Sequence, residues 1–481
     1  MNAASWKDRA AKLLPQKTSV KASTAKPQKS ATPANDDDKR PKPIAPKPGT
    51  VEAYYDLMGG NYFTRAADGS YQRTPERMLG FELRANGFFR DEYHGNSLSW
   101  LEQEMLRIMK EQSVQFAGQV GGFSPGVYKM GASKVLVTRG ADWIKPVEGR
   151  WDTLKDFFTQ LLGEQTVYLY GWVKWALDSI RRGLPWSPGQ MLAIAGPPGA
   201  GKSFLQSLLT PILGGRVSSP YKYMTDATNF NDDIWGAEHA LIGDKNHAID
   251  IRSRRNFGSA LKDFVANKEQ RVEGKNKSAA TLYPFVRLSI TLNDNPEALL
   301  VLPPLDKDIV DKIILLHARP VKFPWPNSRF ADSQAYNAQL VAELPAFLFS
   351  LRRWRIPAKL QCKRYGVHSY LNPDLVRDVE ALSPEKKLLD VIETYLFDSE
   401  FKDYWQGTAA DLERELERAC KPGFVARLFP FSTACGVYLS KLEKLEPSRV
   451  HSREAGGRKR IYTLHRDVCR CSPESVTKGG A

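Results

Sequence analysis

The segment LAIAGPPGAGKSFLQSLL sets Gly196, Gly201, Lys202 and Ser203 at the GxxxxGK[ST] spacing of a loop that cradles phosphates. Each residue type is required by that chemistry. Glycines let the backbone close on the phosphates, and the unpaired N–H groups opening the next helix hold them. Lys202 would reach the β- and γ-phosphate oxygens as a point charge, and the Ser203 hydroxyl would coordinate Mg²⁺. The expected nucleotide-binding stretch is Gly196, Pro197, Pro198, Gly199, Ala200, Gly201, Lys202, Ser203 and Phe204, with ATP and Mg²⁺ as cofactors.

To present this loop, the apolar run Met191–Ala195 must be a buried strand and Lys202 must open a helix. Three more strand-like runs follow. HALIGD finishes at Asp244, VRLSITLN at Asn293, and KIILLHA begins at Lys312. Ligands of an open α/β sheet lie outside the carboxyl ends of its strands, so Asp244 and Asn293 are expected to converge on Lys202. Asp244 would bind Mg²⁺ directly or through water, and Asn293 would position the attacking water or read the γ-phosphate.

Composition bounds the rest. A chain of 481 residues with 42% apolar content can bury several cores and is expected to form about three domains. No apolar run approaches the roughly 18 residues of a membrane span, so no membrane partner is expected. The opening MNAASWKDRAAKLLPQK lacks the apolar stretch of a secretory signal. The five cysteines, Cys362, Cys420, Cys435, Cys469 and Cys471, lack a second Cys or His pair at zinc spacing. A reduced cytosolic compartment in a bacterial or phage-infected cell is the expectation. The net charge of +15 points to a polyanionic partner, and much of it falls within residues 1–50, a Lys-, Pro-, Ser- and Ala-rich arm expected to be disordered.

Beyond the arm, residues 51–150 read as a folded, motif-poor helical collar, with a helix in SLSWLEQEMLRIMKEQ opened by Ser97 or Ser99. A P-loop core is expected over 151–320, a connecting helical region over 321–380, a further domain over 381–466 and a tail over 467–481. In that further domain Thr408 and Asp411 approximate a capping box, and Gly456 with Gly457 forms a turn between two strand-like arms. Three helices and a basic hairpin resemble a winged helix, with Arg453, Arg458, Lys459 and Arg460 placed for duplex phosphates.

The order GPPGAGKS, acidic strand end, Lys-bearing segment EQRVEGKNKSAATLY and strand closing on Asn293 resembles the superfamily 3 helicases of the AAA+ class, notably phage and plasmid primase-helicase proteins. The resemblance spans about residues 51–466 and implies an α/β AAA+ core within a ring, a homo-hexamer around one DNA strand, hydrolysing ATP at its interfaces. It makes VEGKNK a DNA-gripping hairpin with Lys275 and Lys277 at the tip, and gives Lys307 and Lys312 the trans-acting and late sensing cation positions. Arginine is commoner there, since lysine lacks the planar fork.

One departure stands out: that class usually ends the second strand with two acids, whereas Asp244 lies between Gly243 and Lys245. Either Asp244 holds the metal position and the base lies elsewhere, with Glu238 and Asp250 as candidates, or Asp244 is the base. A chain that hydrolyses ATP slowly is a third outcome. The implied activity is an ATP-driven helicase for phage, plasmid or mobile-element replication, with any primase or polymerase on a separate chain. Alternatives are an ATP-controlled replication initiator and a ring-forming DNA-sensing ATPase that does not unwind.

Deleting residues 1–49 should weaken DNA binding modestly. Each lost phosphate contact should lower the slope of log K against log salt by about 0.7 on single strands, measured by titration over a salt series.

Overall fold

The computed structural model describes residues 51–89, 98–182, 187–243, 251–273, 279–322, 332–381, 384–397, 403–429, 431–455 and 459–466. Its chain divides into two compact units, one ending at Asn372 and the other beginning at Pro373. Among the described residues no helix is long and apolar enough to cross a membrane.

The first unit opens with short strands: β1 (Ala53–Asp56), β2 (Asn61–Arg65) and β3 (Tyr71–Thr74) form an antiparallel meander. Gly60 and Gly69, at φ of 63° and 81°, make its two turns. Helices α1 (Glu76–Ala85) and α2 (Trp100–Glu111) follow. Ser99 caps α2, accepting from the Glu102 backbone while the Glu102 carboxylate accepts from Ser99 N. Next, β4 (Ser113–Val114) joins the meander beside β1, and β5 (Phe116–Gly118), β6 (Gly126–Met130) and β7 (Ser133–Val137) make a second small sheet in the order β5-β7-β6. The helical collar expected here is therefore too narrow a description. Seven strands of two to five residues accompany the two helices, each too short to show a period.

Two helices, α3 (Asp152–Leu162) and α4 (Thr166–Arg181), lead into the core, where Phe157, Phe158, Leu161 and Trp172 are buried. After them come β8 (Met191–Ala195), α5 (Lys202–Ile212), β9 (Val217–Ser218), α6 (Tyr221–Met224), β10 (His239–Ile242), α7 (Ile251–Ala266), β11 (Gln270–Val272), β12 (Ala280–Leu282) and β13 (Arg287–Leu292). The unit closes with α8 (Pro296–Leu299), β14 (Ile313–His317), α9 (Ser333–Ala342), α10 (Leu344–Arg353), β15 (Gln361–Cys362), β16 (Gly366–Val367) and β17 (Tyr370–Leu371). Six strands form one parallel sheet in the order β17-β14-β8-β13-β10-β9. Both faces are covered, so β8 and β13 are buried at every position, as a parallel sheet requires.

The small sheet is pinned to the amino edge of this large one. Phe285 N donates to Gly121 O at 2.9 Å, Gly121 N to Trp235 O at 2.8 Å, and Gly122 N to Glu238 Oε1 at 2.7 Å. A Cβ at Gly121 would stand 2.3 Å from Phe285 O, so nothing larger than glycine allows this approach.

In the second unit the elements are α11 (Pro373–Ala381), α12 (Pro384–Tyr395), β18 (Tyr404–Gly407), α13 (Ala409–Ala419), α14 (Phe424–Leu428), α15 (Ala434–Leu445), β19 (Val450–Ala455) and β20 (Lys459–His465). Thr408 and Asp411 complete a capping box at α13. The three strands form an antiparallel sheet, β18-β20-β19, and Trp405, Tyr462 and Leu464 close it over Leu412, Leu416, Leu439 and Leu442. Strand β18 and the single turn α14 are additions to the elements expected from sequence.

Gly121→Ala should lower the unfolding free energy by about 1–3 kcal/mol, because the backbone of Phe285 must retreat. Chemical denaturation of wild type and variant measures it.

Candidate functional site: the phosphate loop and its strand ends

The loop is shaped by three glycines. A Cβ at Gly196 would lie 2.5 Å from Ala318 O, so the chain leaving β8 presses against the chain leaving β14. Gly199 and Gly201, at φ of 75° and 104°, reverse the loop and set the start of α5. Gly201 occupies the cap position with no side chain, which leaves the helix's first N–H groups directed at the loop. Ser203 is exposed at the first turn, and Phe204 packs edge-on to Phe157 at 5.5 Å, fixing the helix against α3.

Lys202 is buried, and its ammonium sits inside the loop. Nζ donates to Gly196 O at 2.6 Å, Pro197 O at 2.9 Å and Asn293 Oδ1 at 3.3 Å. Lys202 and Asn293, 91 residues apart, therefore meet at the carboxyl edge of the sheet. The reason is register: Leu292, the last residue of β13, lies opposite Ala195, the last of β8. On the other flank His317 ends β14 opposite Ala195, and its Nε2 lies 3.3 Å from Asp294 Oδ2. Gln165 holds this strand end, accepting from His317 N and donating to His317 O, both at 2.9 Å. Asp294, His317 and Gln165 were missed in the sequence, although the first two directly follow or end strands that the pattern reveals.

A polar stripe runs down α5 from Lys202 at four-residue steps, one face of a helix. Gln206 Nε2 donates to Ile242 O at 3.2 Å and to Ser289 Oγ at 2.9 Å. Thr210 Oγ1 lies 2.8 Å from His239 Nδ1, whose Nε2 in turn lies 2.7 Å from Ser289 Oγ. This buried string ties the loop's helix to β10 and β13. Burial lowers the His239 pKa to about 4, so its ring is neutral at physiological pH.

Several expected site residues, Asp244, Lys275, Lys277 and Arg458, lie outside the described residues, as do Lys245 and Asp250. Strand β10 stops at Ile242, two residues before Asp244, with Gln206 bound to its final carbonyl. Arms β11 and β12 pair antiparallel, Val272 opposite Ala280. Asn231 clips β11 at the end that enters the turn segment, donating to Arg271 O at 2.9 Å and accepting from Glu273 N at 2.8 Å.

Glu238 is not available as a base. It is fully buried at the amino end of β10, accepting from Gly122 N and from the Arg216 guanidinium, so the length of the strand separates it from the loop. Lys312 sits at the amino end of β14, equally far from its own loop, donating to Asp308 O at 2.6 Å and Asp311 Oδ1 at 2.7 Å. Lys307 is exposed nearby. In the second unit Lys459 opens β20, and Arg453 and Arg460 are exposed on the paired strands. Among the described residues no group of three or more His, Cys, Asp or Glu is placed to hold a metal.

A family described as of unknown function (DUF5906) matches residues 194–308, the stretch from the end of β8 to the approach to β14. No curated protein matches the chain. Of the solved structures, the apo NrS-1 C-terminal region aligns at a TM-score of 0.51 and 13% identity, covering 86% of this chain and 96% of that one. A second apo form of that region gives 0.50 at 12% identity over the same shares. The likeness is one of fold and runs through most of the chain. The SCCmec type IV Cch active helicase is also a neighbour, at a TM-score of 0.30 and 9% identity over 82% of this chain and 73% of that one.

Lowering pH should expose the His239 string. The unfolded chain protonates this histidine near pH 6.5 and the folded chain near 4, so stability is full above pH 6.5 and falls as pH drops toward 4. The loss should approach about 3 kcal/mol at the lower limit. Denaturation of wild type and His239→Gln across that window measures the difference, which should be constant above neutral pH and shrink as pH falls toward 4.

Proposed function

We propose that this chain is an ATP-driven DNA motor of the superfamily 3 helicase type, acting in the replication of a phage, plasmid or other mobile element. The observation that carries the reading is the Lys202–Asn293 contact at the carboxyl edge of the parallel sheet. A cation from the loop and an amide from the next strand then face one point, where a terminal phosphate sits in ATP hydrolysis.

The donor set suits a triphosphate. The open glycine loop, the exposed Ser203 hydroxyl and the first amides of α5 all present partial or full positive charge, and Lys202 needs only to exchange two loop carbonyls for phosphate oxygens. Bound MgATP supplies the phosphoanhydride whose cleavage is coupled to movement. Lys202 would hold the β/γ oxygens, Ser203 and Asp244 the metal, and Asn293 would orient water against the γ-phosphate. Next to them, the Asp294 carboxylate faces His317 and stands one residue from Asn293. Gln206 would fix the strand that delivers Asp244.

The remaining parts fit a ring motor. Lys275 and Lys277, on a hairpin whose arms are paired and clipped by Asn231, would grip single-stranded DNA in a central channel. Exposed Lys307, and Lys312 at the far sheet edge, would serve a neighbouring subunit's nucleotide in a homo-hexamer. From α12 onward the second unit runs helix, strand, helix, single turn, helix and two-stranded hairpin, an order that suits a winged helix; Arg453, Arg458, Lys459 and Arg460 would then contact duplex phosphates.

Lys202→Ala should cut ATP turnover by roughly 100-fold or more, on the scale of losing one preorganised charge stabiliser. Unwinding of a forked duplex should be lost with it while the fold persists. Wild-type turnover in the variant overturns the assignment, and ATPase activity without strand displacement in the native chain replaces helicase with a non-unwinding DNA ATPase.

A further inference from the structure

At the amino edge of the sheet, opposite the phosphate loop, Arg287 opens β13 with its side chain buried. Its Nη1 donates to Val286 O at 3.0 Å, but among the described residues Nε and Nη2 have no hydrogen-bond partner. Phe285 covers one face, the guanidinium carbon standing 4.3 Å from the ring centroid. Gly189 leaves room on another, since a Cβ there would fall 2.4 Å from Nε. Arg287 also lines a small cavity of about 10 Å³ together with Gly189, Trp235, Asn267, Gln270 and Phe285. The indole Nε1 of Trp235 is likewise buried without an acceptor among the described residues. Among the described residues no carboxylate lines this space.

Three buried donor nitrogens without a partner among the described residues, and a full positive charge, on two residues that line one small cavity are an expensive arrangement unless something completes it. Burial lowers the Arg287 pKa to about 9, so the group is still charged at neutral pH. Neutralisation by proton loss is therefore not how the cost is met, and a guanidinium cannot accept a hydrogen bond in exchange. The missing partner must be an acceptor, and an anion answers both the unmet donors and the uncompensated charge. The cavity has room for one small, near-spherical occupant, which excludes phosphate, acetate and larger carboxylates.

We propose that Arg287 and Trp235 form a buried binding site for a small monovalent anion of the halide class, distinct from the nucleotide site. The anion would lock the amino end of β13 to the β10–β11 side of the core, because Arg287 belongs to β13 while Trp235 precedes β10 and Gln270 opens β11.

The test is thermal unfolding of the full chain as potassium acetate is replaced stepwise by potassium chloride or bromide at constant ionic strength. The midpoint should rise and saturate, by roughly 2 to 4 °C, with both halides. Arg287→Met should abolish the halide-specific rise, and Trp235→Phe should reduce it; general salt effects act on all three proteins alike. Equal midpoints in acetate and chloride for wild type, or an undiminished rise in Arg287→Met, overturn the proposal. Should Arg287→Met fail to fold, anomalous scattering from wild-type crystals grown in bromide decides. A peak beside Arg287 supports the site, and density for water alone overturns it.

Discussion

The ammonium of Lys202 is the point on which the first unit is organised. It is a charge enclosed by protein, and the polar atoms around it must come from the chain's own loop and from the next strand. Meeting that need fixes three things together: the glycine loop must fold inward, β13 must lie directly beside β8, and Asn293 must follow β13 without a spacer. Phosphate oxygens would satisfy the same charge better than two neutral carbonyls, because charge-assisted hydrogen bonds are about twice as strong. The loop is thus held closed by contacts weaker than those a nucleotide would offer.

The stripe below Lys202 shows how the same helix disciplines the rest of the sheet. Gln206 and Thr210 spend their polar groups on β10 and β13 rather than on water. Apolar residues there would pack as well but would not specify register, since a slide of β13 costs hydrocarbon contacts little and costs a buried hydrogen-bond string a great deal. Placing two strand ends relative to one loop demands that kind of specificity.

How much of this was legible in the sequence follows from run length and range. Strands β8, β13 and β14 stand out because four or five apolar or small residues dominate each and turn or polar residues bound them. Capping boxes at Ser99 and Thr408 are local chemistry and can be read directly. The meander of β1 to β3 carried only the turn signals Gly59-Gly60 and Asp68-Gly69, easily lost between tyrosines that bury one edge each. Gln206 and His239 gave no signal at all, for their partners lie 29 to 83 residues away. Glu238 looked like a candidate base by proximity to Asp244 in sequence, yet a strand's length separates the two ends of β10.

The tie between the small sheet and the hairpin redraws the boundary of the core that carries the glycine loop. Val272 of β11 and Leu282 of β12 share one apolar cluster with Trp235 and with Tyr128, Met130, Val135 and Val137 of the small sheet. The apolar cluster under the hairpin is therefore built in part from residues that precede α3 by some fifteen positions or more. A chain begun at α3 would strip Trp235, Val272 and Leu282 of the small-sheet residues in their cluster, so the core is not a module that can be lifted out or swapped between proteins without the strands that precede it. Insertions and recombination in such a chain are constrained to respect a unit that begins before the phosphate loop's own helical approach.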